Sequence, residues 1–228
     1  MTVLETSGRK RSIKLTTIVG LVLVAVGASL LGYVGWEYFG TNIVAKHRQS
    51  ELSQGLASRW RADGADGDAD HDKLATGEAM ALLRIPRFGK DYEVPIVKGV
   101  DDDSLASGVG WFPKTARPGQ VGNFALAGHR VTHGEPFHDF PELRKGDKVV
   151  VETRTHVYTY RLRDNGTDRT LDFSQTWVLD PVPGKPEVKP TEAMITLVTC
   201  SELFHTDNRN VVFGDLVTTE HKENWAGP

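Results

Sequence analysis

The chain has 228 residues and carries a formal net charge of -3, from 27 basic and 30 acidic side chains. That length accommodates one or two domains, and the near balance of charge lacks the basic stripe a nucleic-acid-binding surface requires, which excludes that class of partner. A single cysteine excludes intramolecular disulfides, so any folded domain stands on its own core.

The first predicted element is apolar. From Leu15 to Trp36 no residue is charged, and about 22 positions would rise roughly 33 Å as a helix, enough to cross a hydrocarbon core. Arg9, Lys10, Arg11 and Lys14 precede it, Glu37 follows, and the next cations are Lys46 and Arg48. By the positive-inside rule, residues 1–14 form a cytoplasmic tail, residues 15–36 a signal anchor in the bilayer, and everything beyond is exported. Trp36, Tyr38 and Phe39 suit the outer interface. The competing reading is a cleaved signal peptide ending near Val26-Gly27-Ala28, although apolar sequence runs on past Ala28.

Residues 37–78 read as a partly helical stalk passing into an acidic linker, Asp63-Gly64-Ala65-Asp66-Gly67-Asp68-Ala69-Asp70-His71-Asp72. The spacing of Asp66, Asp68 and Asp70 suggests a calcium loop, but the turn glycine of such a loop falls on His71 and its closing glutamate on Gly77. A solvated spacer holding the next domain off the membrane is the better account.

From Ala79 the pattern changes to short apolar or β-branched runs broken by Gly, Pro and Asp. Candidate strands are 81–85, 92–97, 123–127, 148–152, 157–163, 176–179, 193–199 and 210–218, with a short helix or turn at 139–143. This is the signature of an all-β sandwich or barrel. The expected folded domain is 79–220, followed by a tail at 221–228.

Chemistry-bearing residues sit at the ends of three of these strands. Cys200 closes Ala193-Met194-Ile195-Thr196-Leu197-Val198-Thr199-Cys200, His129 follows Leu126-Ala127-Gly128, and Arg209 stands just ahead of Asn210-Val211-Val212-Phe213. A free thiol is mostly protonated at neutral pH, so a nearby base or cation raises its usefulness as a nucleophile. Imidazole transfers protons near neutrality, and a guanidinium is a permanent donor to a developing oxyanion. His133, His138, His156, His205 and His221 lie in polar or turn-like sequence and read as surface or loop residues. One cysteine and scattered histidines do not make a zinc site, so no metal and no cofactor is expected.

These residues resemble the sortase family. The carrying motifs are Thr196-Leu197-Val198-Thr199-Cys200, Ala127-Gly128-His129-Arg130 and Arg209. Leu83-Arg84-Ile85-Pro86-Arg87-Phe88-Gly89, Gly108-Val109-Gly110-Trp111-Phe112-Pro113, Pro118-Gly119-Gln120-Val121-Gly122-Asn123 and Leu143-Arg144-Lys145-Gly146-Asp147 add to them. The wording is most like class E, with class D the nearest rival. Directly after the cysteine, where class D and E members usually carry His-Pro, this chain has Ser201-Glu202-Leu203.

The resemblance implies an eight-stranded sortase barrel with short helices and a membrane-anchored cysteine transpeptidase. Its substrates would be exported proteins with a C-terminal sorting signal of the Leu-Ala-x-Thr-Gly or Leu-Pro-x-Thr-Gly type. Its acceptor would be a peptidoglycan amine, or in the nearest alternative a pilin lysine. It assigns Cys200 as nucleophile, His129 as acid and base, and Arg209 to the substrate backbone and oxyanion. Thr199 either packs near the bound peptide or is a plain strand threonine. Two other classes stay open at this point: a cell-wall cysteine hydrolase or L,D-transpeptidase, and a non-catalytic membrane-tethered β-domain.

Overall fold

The computed structural model describes residues 15–36, 40–62, 74–201 and 207–224. The acidic run at Asp63–Asp72, the tail 1–14, Glu202, Leu203 and His205 lie outside these residues.

The apolar segment forms helix α1 (Leu15–Gly35), with no buried side chain. It is apolar all round, as a helix surrounded by lipid would be, and its Ser29 hydroxyl is satisfied by the Ala25 carbonyl at 2.8 Å. By length and composition it can cross a membrane. The polar segment beyond it forms α2 (Thr41–Ala62). Far from standing free as a spacer, α2 lies against the barrel. Leu52, Leu56 and Trp60 pack on Ala79, Leu82 and Val97.

The remaining elements are β1 (Ala79–Arg84), β2 (Val94–Lys98), the short helix α3 (Asp102–Leu105), β3 (Val109–Trp111), β4 (Gly122–Ala127), β5 (Lys148–Glu152), β6 (His156–Leu162), β7 (Thr170–Asp172), β8 (Ala193–Cys200) and β9 (Asn208–His221). Eight of the strands close a ring in the order β6, β5, β1, β2, β3, β4, β8, β9, and β9 pairs back onto β6. This is the expected eight-stranded barrel. Closure removes the free strand edges that an open sheet would expose. Neighbours are antiparallel except β2 with β3 and β4 with β8, which run parallel.

Strand period decides which side chains fill the barrel. Leu83, Ile96, Phe124, Leu126, Val149, Val151, Ile195, Leu197 and Val212 point inward with Trp111 and Tyr160, all essentially inaccessible. The alternate residues of β8 and β9, Met194, Val211 and Phe213, form a second apolar layer outside the barrel with Val178.

Thr176–Leu179 is the one predicted strand that the structure corrects. It is a 3-10 turn, closed by the Asp180 N–H on the Trp177 carbonyl at 3.1 Å. In a run so short, apolar content does not distinguish strand from helix. Asn123, buried on the outer side of β4, instead fixes the turn by donating to the carbonyls of Val178 (2.8 Å) and Asp180 (3.0 Å). Two three-residue strands, β3 and β7, were too short to carry a period. The last strand also runs through His221 into a 3-10 turn at Lys222–Asn224, so the expected tail begins with folded residues.

Candidate active site

The barrel register sets Cys200 opposite Arg209, and His129 lies just past the end of the strand on the other side of β8. β8 and β9 are antiparallel with Cys200 directly opposite Arg209. β4 and β8 are parallel with Ala127 beside Val198, and the ladder continues one step further as the Gly128 N–H donates to the Val198 carbonyl at 3.1 Å. His129 follows directly, two residues past the end of β4. Thiol and guanidinium thus stand opposite each other on paired strands, with the imidazole on the segment that continues the strand next to them, and the three form one candidate row. Cys200 shares its parity with Met194 and Val198, and Arg209 with Val211 and Phe213, so both face the outer side of the sheet.

That outer face is the floor of a cleft of about 390 Å³. Ala127, Val198, Arg209 and Val211 form its floor, while Leu171, Phe173, Val178 and Leu179 on one side and Val100 and Leu105 on the other form its walls. The lining is mainly apolar, with a fixed cation at one end, the composition expected of a peptide-sized ligand site. A larger groove of about 680 Å³ lies between α2 and residues 134–139 and includes none of the row.

Each side chain of the row is held by its surroundings. His129 is half-buried and stacked on His133, ring centroids 4.8 Å apart. Burial first, and the neighbouring His133 second, push its pKa down to about 4 against the opposing pull of Asp102 on α3. The resting imidazole is therefore neutral at pH 7 and able to accept a proton. Its backbone carbonyl receives the Phe137 N–H at 2.9 Å. Just before it Gly128 has no room for a side chain, since a β-carbon there would stand 2.7 Å from the Phe137 ring.

Arg209 donates from Nη1 to the Asn208 carbonyl at 2.9 Å. Its charge also reaches Asp172, whose carboxyl is held below the usual range chiefly by the Ser174 hydroxyl and N–H. Thr199 does not line the cleft. It is buried, and its hydroxyl donates to the Gly128 carbonyl at 2.8 Å, tying the cysteine strand to the histidine turn.

Sequence reasoning missed three contributors. Arg130 bonds the Ser201 carbonyl through Nη1 and so links the residue after His129 to the residue after Cys200. His133, read as a loop residue, is the ring on which His129 rests. Asn123 also accepts from the Thr196 hydroxyl at 2.6 Å and so holds the cleft wall to both β4 and β8. Only the apolar flanks of Asn123 and Thr196 could have signalled that these polar side chains were buried. Among the described residues no three His, Cys, Asp or Glu side chains gather as metal ligands.

Residues 83–217 match the family described as the sortase domain. The chain belongs to the sortase family. Its relatives include Sortase SrtE1 of Streptomyces coelicolor, 33% identical over 206 residues that cover 87% of this chain and 56% of that one. The match thus spans little more than half the length of that relative. A solved sortase E from Streptomyces avermitilis is 36% identical with a TM-score of 0.61, covering 68% of this sortase and 97% of that chain. The solved Sortase E1 of Streptomyces coelicolor, described as having a tripeptide in the active site, is 36% identical with a TM-score of 0.59 over 67% of this chain and 95% of that one. These likenesses place the sortase with class E, within a family of cysteine transpeptidases.

Proposed function

We propose that this sortase is anchored by α1 with its barrel outside the membrane and joins exported proteins to peptidoglycan through a thioester on Cys200. The reading is supported by Cys200 standing opposite Arg209 on paired strands, with His129 two residues beyond the end of the strand beside Cys200, and Arg209 lining an apolar cleft.

A C-terminal sorting signal lies extended along the cleft, with its threonine carbonyl at the row. His129 takes the thiol proton as the sulfur attacks that carbonyl carbon. Arg209 donates to the oxyanion of the tetrahedral intermediate and to the peptide backbone. The Thr–Gly C–N bond then breaks, and the proton held by His129 goes to the departing glycine amine, leaving threonine as a thioester. An amine of the wall stem peptide attacks the thioester and gives up its proton to His129, and the expelled cysteine sulfur takes that proton back to restore the thiol. Net, one amide is exchanged for another and no cofactor is consumed. Thr199 and Arg130 act on this chemistry by tying the His129 segment to the Cys200 segment, one just before and one just after the two residues.

The class E likeness favours Leu-Ala-x-Thr-Gly over Leu-Pro-x-Thr-Gly as the signal. The test is cleavage of fluorogenic peptides of both kinds by the full chain in detergent micelles, with and without an added amine. The reading predicts scission between Thr and Gly, threonine joined to the amine, and faster turnover of the alanine signal. Equal turnover of both peptides would remove the signal preference. Intact peptides after incubation with well-folded protein would remove the transpeptidase reading.

A further inference from the structure

The loop after His129 adopts an unusual backbone, and its supports come from outside the barrel. His133, Gly134 and Glu135 are consecutive residues with φ of 55°, 85° and 53°. Only glycine adopts this left-handed region readily, so two of the three are held there by their surroundings. Part of the hold is local: the Tyr92 hydroxyl donates to the Pro136 carbonyl at 2.6 Å. The rest comes from α2. The Asn42 amide oxygen accepts from the Gly134 N–H at 2.8 Å, and its NH₂ donates to the Glu135 carboxylate and, at 3.4 Å, to the Val131 carbonyl. Gln49 donates to the His133 carbonyl at 3.1 Å. Contact at this point is tight, since a β-carbon on Gly134 would stand 2.6 Å from the Gln49 amide nitrogen.

Asn42 and Gln49 are 9% and 6% exposed on a helix whose sequence is otherwise largely polar and solvated. They occupy the same face as Ala45, Leu52, Leu56 and Trp60, which extends the apolar contact with β1 and β2 as a polar one. Buried amides with all these partners specify geometry. What they specify here is the backbone of His133, whose ring carries the ring of His129.

We propose that Asn42 and Gln49 are positioning residues for His129, so that the helix following the membrane segment is a working part of the active site. The proposal rests on the acid and base role given to His129 above. Its consequence is that the catalytic geometry depends on chain lying N-terminal to the barrel.

The experiment uses the full chain in detergent micelles and compares Asn42→Ala/Gln49→Ala with Trp60→Ala, which loosens α2 away from the loop. Three quantities are read: kcat and KM on the signal peptide, the melting temperature, and the titration of the His129 ring by NMR. The titratable groups acting on that ring are His133 of its own loop and Asp102 of α3. The double variant is expected to lose on the order of tenfold or more in kcat, as misplaced reacting groups do, with KM little changed. Its His129 titration should move up from about 4 toward the ordinary histidine value. Trp60→Ala should lower the melting temperature without moving that titration.

A polarity swap supplies the rescue. Asn42→Asp alone sets a carboxylate against Glu135 and should impair kcat, whereas Asn42→Asp/Glu135→Gln restores a complementary pair and should recover it. Unchanged kcat and an unchanged His129 titration in the double alanine variant would overturn the proposal. If the wild type turns over no peptide, the NMR titration still decides whether α2 positions the ring, so failure of the enzymatic reading is seen separately.

Discussion

His129 is half-buried, rests against a second imidazole and has a pKa pushed to about 4. Replacing His133 by Ala removes the like charge and opens the ring to water, both of which favour the protonated form. The His129 titration in His133→Ala should therefore rise, read from its ring proton shifts by NMR. The same depression has a consequence for stability. Between about 4 and the ordinary value of about 6.5, the unfolded chain binds a proton at this position that the folded chain does not. Stability is thus fully present above the unfolded value and falls as pH drops through the window toward 4. His129→Gln should show a shallower acid-side loss in urea denaturation, and a loss as steep as the wild type's would contradict the burial argument. Cys200, His129 and Arg209 stand out in sequence as candidates because their types carry chemistry and β-branched runs mark the strand ends near them. The direction of Thr199 and the ring beneath His129 were not. A strand's parity emerges only once its register is set by neighbours, and the left-handed backbone at His133 and Glu135 is imposed by contacts far away in sequence.

At the scale of elements, the cleft depends on how the 176–179 turn is fastened to the outer side of β4 and β8. Asn123 is 1% exposed and joins all three, through the Val178 and Asp180 carbonyls and the Thr196 hydroxyl. Asn123→Ala would leave those groups buried with fewer partners, at a cost of about 2–3 kcal/mol. Urea denaturation should show a lower midpoint with an unchanged m-value, and KM for the signal peptide should rise as the wall carrying Val178 and Leu179 loosens. The strands that were legible, such as β5 and β8, combine length with β-branched content and clear turn residues at both ends. The turn at 176–179 has the same composition, but β8 already has β4 and β9 as its two neighbours. A four-residue apolar run with no strand to pair with curls to satisfy its own backbone, and it buries its side chains in the outer layer.

Across the whole molecule, the barrel was legible because every strand pair has a turn signal or a crossover of suitable length, and because so much β-branched sequence has to be closed on itself. The packing of α2 was not legible. Its contact stripe runs through Asn42, Ala45, Gln49, Leu52, Leu56 and Trp60, and the polar members at one end erase the amphipathic pattern that would have announced it. At the other end Lys222 stands over the Trp60 ring, 4.1 Å from its centroid, and also pairs with the buried Glu152, which holds Arg84. Helix α2 is thus fastened to the turn that follows the last strand as well as to the His129 loop. The central claim of the proposed function is a covalent one. The full chain, mixed with a Leu-Ala-x-Thr-Gly peptide and quenched in acid before any amine is added, should gain the mass of the peptide up to threonine. The gain should map to Cys200, disappear on addition of hydroxylamine and be absent from Cys200→Ala. An adduct that persists in Cys200→Ala, or one that maps to another residue, would contradict the account.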